Sequence, residues 1–281
     1  MANEIETTPE AAVFIPELWR PGFLKAMYAD SVARPRVLNA DGDVKYKGDI
    51  LHIRISPTCS VNNVGSTGTL TNQALTATEA QLTVNSWKEV TFEIIDNVAA
   101  QADEFLEAAL KEGVPRALAE QVDKDILALY DELTSHTAID ATAGITDDLL
   151  LDAFVALLQS NVPMNNPNDV TWFFSPTLIK PLKQISGISE AHITGEAKGG
   201  LVISKVPDIL GVPVMFTTSV THTGGEYKNM LTHREALACG VQKNINIEQL
   251  ARTKKSTVYS ADMMYGVKSV RATHGIVIAT A

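Results

Sequence analysis

The chain has 281 residues, 45% of them hydrophobic and 20% charged, enough to build one large or two medium domains around a sizeable core. Its 33 acids against 23 bases give a formal charge of −10, so the average field repels phosphate backbones and anionic membranes and argues against sequence-specific DNA binding. The first residues carry acids where a secretory signal needs lysine or arginine, and no apolar run approaches the ~18 residues of a membrane span. Neither export nor membrane insertion is expected.

Residues 1–13 are polar, and order is expected from Phe14 onward. Trp19, Phe23 and Met27 then fall at helical spacing after Pro16 and Pro21, in a segment too short to make its own core. This arm must lean on something else. From Asp49 to Ile55, Ile50 or Leu51, Ile53 and Ile55 alternate with His52 and Arg54 as in a strand. Residues 57–78 are dominated by Ser, Thr, Asn and Gly, with Val61, Val64, Leu70 and Leu75 as modest apolar points, and cannot bury themselves. Ala80–Ile95 alternates again through Leu82, Val84, Trp87, Val90, Phe92 and Ile94, which predicts one long returning strand. Residues 46–95 are therefore expected to form an extended hairpin with a polar tip.

Asp96–Leu133 carries apolar residues at helical spacing, among them Phe105, Leu106, Leu110, Leu118, Val122, Ile126, Leu129 and Leu133, with acids and lysines on the other face. The pattern predicts an amphipathic helix of roughly 55 Å. Asp96 or Asn97 would cap it, and Gly113-Val114-Pro115 would kink or divide it. Leu118, Val122, Ile126 and Leu129 are its candidate core stripe, and Asp123 and Asp125 are assigned to a solvated face.

Thr146 is placed to cap a second helix, with Asp147 and Asp148 in its first turn, that stops at Pro163. The run from Val170, VTWFFS, is apolar on both faces and predicts a strand in the middle of a sheet. Pro176 opens a short helix that Pro181 limits, and the glycine-bearing residues 186–206 form a loop. ILGVPVMFTTSV is a strand entered by a glycine turn, Lys228–Thr232 is short and apolar, and HREALACGVQ fits helix or strand equally. Met263–Val270 and Gly275–Ala279 close the chain as two strands around a short turn.

The search for chemistry is negative. None of His52, His136, His192, His222, His233 and His274 has another histidine at i+4 or a nearby cysteine, so no sequence-local metal site is supported. There is no nucleophile elbow, no phosphate loop and no dinucleotide fingerprint. Cys59 and Cys239 are expected as free thiols in a reducing compartment. Neither catalysis nor a cofactor is expected.

The order of parts, however, is informative: a proline-bearing arm, an extended hairpin, a long helix, then an alternating α/β half closed by two strands. That order resembles the major capsid proteins of tailed bacteriophages, the Hong Kong 97 fold. IPELW ahead of GDILHIRI looks like the start of these coats, and WKEVTFEIIDNVAAQ like the hairpin's return into the spine helix. VTWFFSPTLIKPL followed by ILGVPVMFTTSV resembles the axial domain's strand pair, and YGVKSVRATHGIVIATA the final peripheral-domain strands. The resemblance implies an α+β subunit with an N-terminal arm (1–45), E-loop hairpin (46–95), spine helix and peripheral domain (96–145), axial domain (146–250) and peripheral strands (251–281).

It further implies a non-enzymatic protein of the virion capsid, assembled in the host cytoplasm into an icosahedral shell of hexamers and pentamers around double-stranded DNA. Partners would be other copies of the chain, a separate scaffolding protein, since no scaffolding domain is expected to be fused, and a portal. Trp19, Phe23, Val64, Leu70, Leu75 and Trp87 are the candidate inter-subunit contacts. Some relatives crosslink through an E-loop lysine; residues 57–79 contain none, so a non-covalent shell is expected. A bacterial encapsulin shell, which shares the fold, is the first alternative, and an α+β enzyme with a site assembled from distant residues is the second.

Overall fold

The computed structural model describes residues 31–45, 48–57, 59–64, 66, 68, 70, 72–74, 77–95, 105–134, 136–164, 166–185, 208–250 and 256–281. Trp19, Phe23, Leu75, the cap candidates Asp96 and Asn97, and residues 186–206 lie outside the described residues.

The first elements are β1 (Leu38–Asn39), α1 (Asp41–Val44), β2 (Ile50–Ile55), β3 (Thr78–Thr83) and β4 (Ser86–Ile95), followed by the helix α2 (Phe105–Leu127). Then come β5 (Ile139–Asp140), α3 (Asp147–Gln159), β6 (Val170–Phe174), α4 (Ile179–Gln184), β7 (Val214–Phe216) and β8 (His222–Thr223). The chain ends with β9 (Glu226–His233), β10 (Leu237–Leu250), β11 (Ser256–Ser269) and β12 (Gly275–Thr280). These strands make a four-stranded sheet in the order β1-β10-β11-β4, a second sheet in the order β5-β12-β9-β6-β7 with β8 beside β9, and the separate two-stranded ladder β2-β3.

Period-2 patterning decides how the second sheet is covered. Val170, Trp172 and Phe174 of β6 join Ile276 and Ile278 of β12, Leu150, Ala153 and Leu157 of α3, and Leu182 of α4 in one core. The intervening residues Phe173, Met230 and Val277 point into another, where they meet Leu118, Val122, Ile126 and Leu127 of α2 and Leu237, Cys239, Val241, Met263 and Tyr265 of β10 and β11. Both faces of β6 are covered, which is why every residue of VTWFF is buried and all but Thr171 are apolar. α2 thus lies where the two sheets share one core, and each large side chain buried there contributes about 1.5–3 kcal/mol of transfer free energy.

Several expectations are corrected. The helix α2, described from Phe105, runs unbroken through Pro115 and tightens at Ala128–Glu132 into a 3-10 turn, so Leu129 leaves the helical stripe and is only partly buried. Pro115 removes a donor without dividing the helix, because the packed residues on either side, Val114 and Leu118, hold it. The predicted single strand 80–95 is two strands. Residues 78–83 pair with β2, whereas residues 86–95 pair with β11 from Ser86↔Tyr265 to Ile95↔Ser256. Side-chain alternation continues across the break, so the change of partner leaves no trace in the period.

The C-terminal strands are not a pair: β11 stays in the first sheet, and the 3-10 turn Ala272–His274 delivers β12 to the second. HREALACGVQ resolves as the turn into strand β10. α3 is capped as expected, Thr146 Oγ1 accepting from Leu149 N, but ends at Gln159 because Asn161 turns to a left-handed φ of 56° ahead of Pro163. Pro181 sits inside α4 and does not limit it, since a proline in a first helical turn loses no bond. Ile209 and Val212 exchange two backbone hydrogen bonds across Leu210 and Gly211, both at positive φ, giving the glycine turn before β7.

Candidate assembly surface

The hairpin has a root, two legs and a tip, each of different chemistry. At the root, Leu82 and Val84 join Ala40, Val44 and Ala238 in a small core of their own, and Val84 N donates to Asp49 O at 2.7 Å. Along the legs, β2 and β3 pair antiparallel from Ile50↔Thr83 to Ile55↔Thr78, with exposed His52 and Glu79 3.2 Å apart across the ladder. At the tip, Gln73 reaches across to Ser60, accepting from Ser60 N at 3.1 Å and donating to Ser60 O, so one amide ties the two ends of the loop.

No charged residue occurs between Ile55 and Glu79, and the apolar side chains here stand in solvent: Val61 is 97% exposed, Leu70 75% and Val64 57%. Nothing described in the chain covers them. Of the candidate contacts the structure describes three, Val64, Leu70 and Trp87, and Trp87 is 67% exposed. Its indole N–H donates to Asp262 Oδ2 at 2.8 Å, and Lys243 Nζ donates to the same carboxylate at 2.6 and 2.7 Å, so three adjacent strands fix this ring on the sheet surface. Lys243 holds the Asp262 carboxyl below its usual range, helped by the indole. An exposed aromatic side chain held by a hydrogen bond at its polar edge is the type of residue that anchors interfaces. Trp87 lies on the sheet and not on the hairpin tip, so the candidates fall on two separate surfaces.

Beneath that sheet, Leu118, Val122 and Ile126 are buried to 3%, 1% and 0% exposure. The acid beside them was misread from sequence. Asp123 is 1% exposed, and its carboxylate accepts from Ser31 Oγ at 2.9 Å, Val32 N at 2.6 Å, Ala33 N at 3.1 Å and Arg34 N at 3.1 Å. One side chain of α2 therefore binds the whole turn by which the chain enters its described part. Asp125 is no solvated acid either: Tyr265 OH and Gln121 Nε2 both donate to it. Burial, then that carboxylate, pushes the Tyr265 phenol well above its ordinary value.

Every chain crossing between α2 or the first sheet and the second carries a histidine. His136 lies between α2 and β5, His233 is the last residue of β9 where the chain leaves for β10, and His274 lies between β11 and β12. His233 and His274 are buried with ring centroids 5.7 Å apart, and His136 Nε2 lies 3.0 Å from Thr273 O. Burial lowers both buried imidazoles; for His274 Arg271 and His233 add to it, while for His233 Glu235 and Asp169 oppose it. Cys239, also buried, has its thiol pushed up to about 12, whereas Cys59 is exposed. Among the described residues no group of three or more His, Cys, Asp or Glu is placed to hold a metal ion, and no described helix is long and apolar enough to cross a membrane.

No protein-family model and no curated protein matches the chain. Solved structures do. A structure from Mycobacterium phage Che8 overlays with a TM-score of 0.77 at 25% identity, covering 94% of this chain and 97% of that one. The capsid structure of the cyanophage P-SCSP1u gives 0.76 at 15% identity, covering 96% and 94%. The capsid of a native GTA particle gives 0.69 at 9% identity over 100% of both chains. Because these overlays run nearly end to end on both members of each pair, the likeness is of whole subunits, and the chain has the fold of phage capsid proteins, in keeping with its resemblance to the tailed-phage major capsid proteins.

Proposed function

We propose that copies of this chain self-assemble, as the major capsid protein of a tailed phage, into an icosahedral shell of hexamers and pentamers enclosing double-stranded DNA. The observation that supports it most is the hairpin: a ladder rooted in its own core carries an uncharged tip whose Val61, Val64 and Leu70 are covered by none of the described residues. A fold shared with capsid structures makes a second copy the natural cover for such a tip. Trp87 is a second contact, and the arm residues Trp19 and Phe23, with Leu75, are assigned to the same role.

In this reading the E-loop expected at 46–95 narrows to residues 50–83, the first sheet with α2 is the peripheral domain and takes in β4 and β10 from the expected hairpin and axial domain, and the second sheet with α3 is the axial domain and takes in β12 from the expected peripheral strands. Formal charge −10 suits a container that encloses a polyanion without gripping it, so DNA is held with no sequence preference. The tip, lacking lysine, joins subunits without covalent bonds. The subunit has no enzymatic role; a separate scaffolding protein and a portal act with it in the host cytoplasm, and its place is the virion capsid. Negative-stain microscopy of the expressed chain, with nuclease digestion of its nucleic acid, tests this. Closed particles are expected; a chain that elutes only as monomers or dimers under assembly conditions refutes it.

A further inference from the structure

Two glycines face each other in the first sheet: Gly240 of β10 is the register partner of Gly266 of β11. Glycine weakens a strand interior, so a cross-strand pair of them calls for a reason. At Gly266 the reason is contact: a Cβ there would lie 2.3 Å from the backbone oxygen of Thr83, at the root of the hairpin, and 3.0 Å from Leu82 Cδ2. At Gly240 a Cβ would lie 3.1 Å from both methyls of Val44 and 3.4 Å from Ala40 Cβ, at the helix α1 that precedes the hairpin. The segments before and at the base of the hairpin thus both rest on one notch two residues wide.

We propose that this glycine pair is the saddle that sets the angle at which the hairpin leaves the sheet, with Gly266 as the residue that positions the tip for its neighbour. The two positions are not equivalent. A side chain at Gly240 meets methyl groups that can turn away, while one at Gly266 meets backbone. A backbone oxygen at 2.3 Å must retreat by about 1 Å to reach ordinary contact. Levered over the six residues of β2, a ladder of roughly 20 Å, that lift carries the tip about 3–5 Å. The consequence for assembly rests on the proposed function; the saddle itself does not.

Spin labels on the full chain measure the angle directly. The exposed Cys59 takes one label, the buried Cys239 takes none, and Asp152→Cys on the exposed side of α3 supplies the second. Gly266→Ala should shift the mean distance by about 3–5 Å while circular dichroism keeps the parent's spectrum, and Gly240→Ala should leave the distance unchanged. An unshifted Gly266→Ala, or an equal shift in Gly240→Ala, overturns the proposal. If Gly266→Ala fails to fold, Leu82→Ala decides: it loosens the root without touching the backbone contact, so the saddle requires an unmoved mean with a wider distribution, and a moved mean overturns it. Microscopy of Gly266→Ala then separates the two readings. Loss of closed shells is expected, whereas normal shells built from subunits with a displaced hairpin would refute the joining role and leave the saddle standing.

Discussion

Replacing Asp123 is the perturbation whose cost the structure defines best. The carboxylate accepts four hydrogen bonds, three of them from consecutive backbone amides, while itself 1% exposed. Hydrogen bonds to a charged group contribute about 1.5–3 kcal/mol each, and a buried donor left unpaired costs about 1–3 kcal/mol. In Asp123→Ala the amides of Val32 and Arg34, only part-buried, regain water, so the full sum is not realised; a loss of about 3–5 kcal/mol is expected. Asp123→Asn keeps one acceptor oxygen and turns an amide NH2 toward donors, for an expected loss of about 1–3 kcal/mol. Against the 5–15 kcal/mol of a typical domain the first is severe, lowering the melting temperature by about 10 °C. Thermal unfolding by circular dichroism measures it, and hydrogen exchange of residues 32–34 should accelerate in both variants before the second sheet responds. An Asp123→Ala chain within 1 kcal/mol of the parent would show that the turn at 31–34 is held by something other than this carboxylate.

Three further outcomes follow from the same contacts. Val122→Asp puts an unpaired charge into the core shared by the two sheets, at a cost of several kcal/mol, so soluble expression should fail before assembly is reached; a variant that melts like the parent would sink that assignment. Because burial lowers His233 and His274, the unfolded chain binds more protons than the folded one below the ordinary histidine value of about 6.5, and stability must fall as pH drops through that range. Urea midpoints at pH 7.5 and 5.5 should therefore separate in the parent and converge in the double variant His233→Gln, His274→Gln; equal separation in both would place the proton uptake elsewhere. Replacing residues 60–76 by Asn-Gly, a favoured two-residue turn, should leave the subunit folded but unable to close shells, as read by circular dichroism and microscopy of one preparation, and normal particles would remove the tip from the interface.

What the sequence made legible is what repeats within one segment. The stripe Leu118, Val122 and Ile126 announces itself by spacing, the covered strand Val170–Phe174 by apolar residues on both faces, and the start of α3 by Thr146. The partner of each segment is another matter. Leu82, Val84, Val90, Phe92 and Ile94 share one parity through two different ladders, so period 2 cannot report that the chain leaves β2 for β11 near Asn85. Likewise β11 and β12 are separated by one short turn, yet their partners lie in different sheets. Adjacent strands usually pair, and here the shared core around α2 outweighs that tendency by claiming one strand for each of its sides.

Asp123, Gly240 and Gly266 were missed for a related reason, but each had left a local sign. Asp123 stands four residues before the fully buried Leu127, on the apolar side of α2, where an unpaired carboxylate is too costly to persist. Gly240 and Gly266 interrupt strand patterns that would be stronger with any β-branched residue. Taken alone, an acid on a helix reads as solvated and a glycine in a strand as a flaw. Asp123 reaches residues about ninety positions away, and Gly266 touches a backbone nearly two hundred positions away. Local anomalies of this kind are where distant segments meet, because only a contact from outside the segment can offset what the anomaly costs within it. In this chain the two anomalies tie the turn at 31–34 and the root of the hairpin to the body, while the well-patterned residues build the body itself.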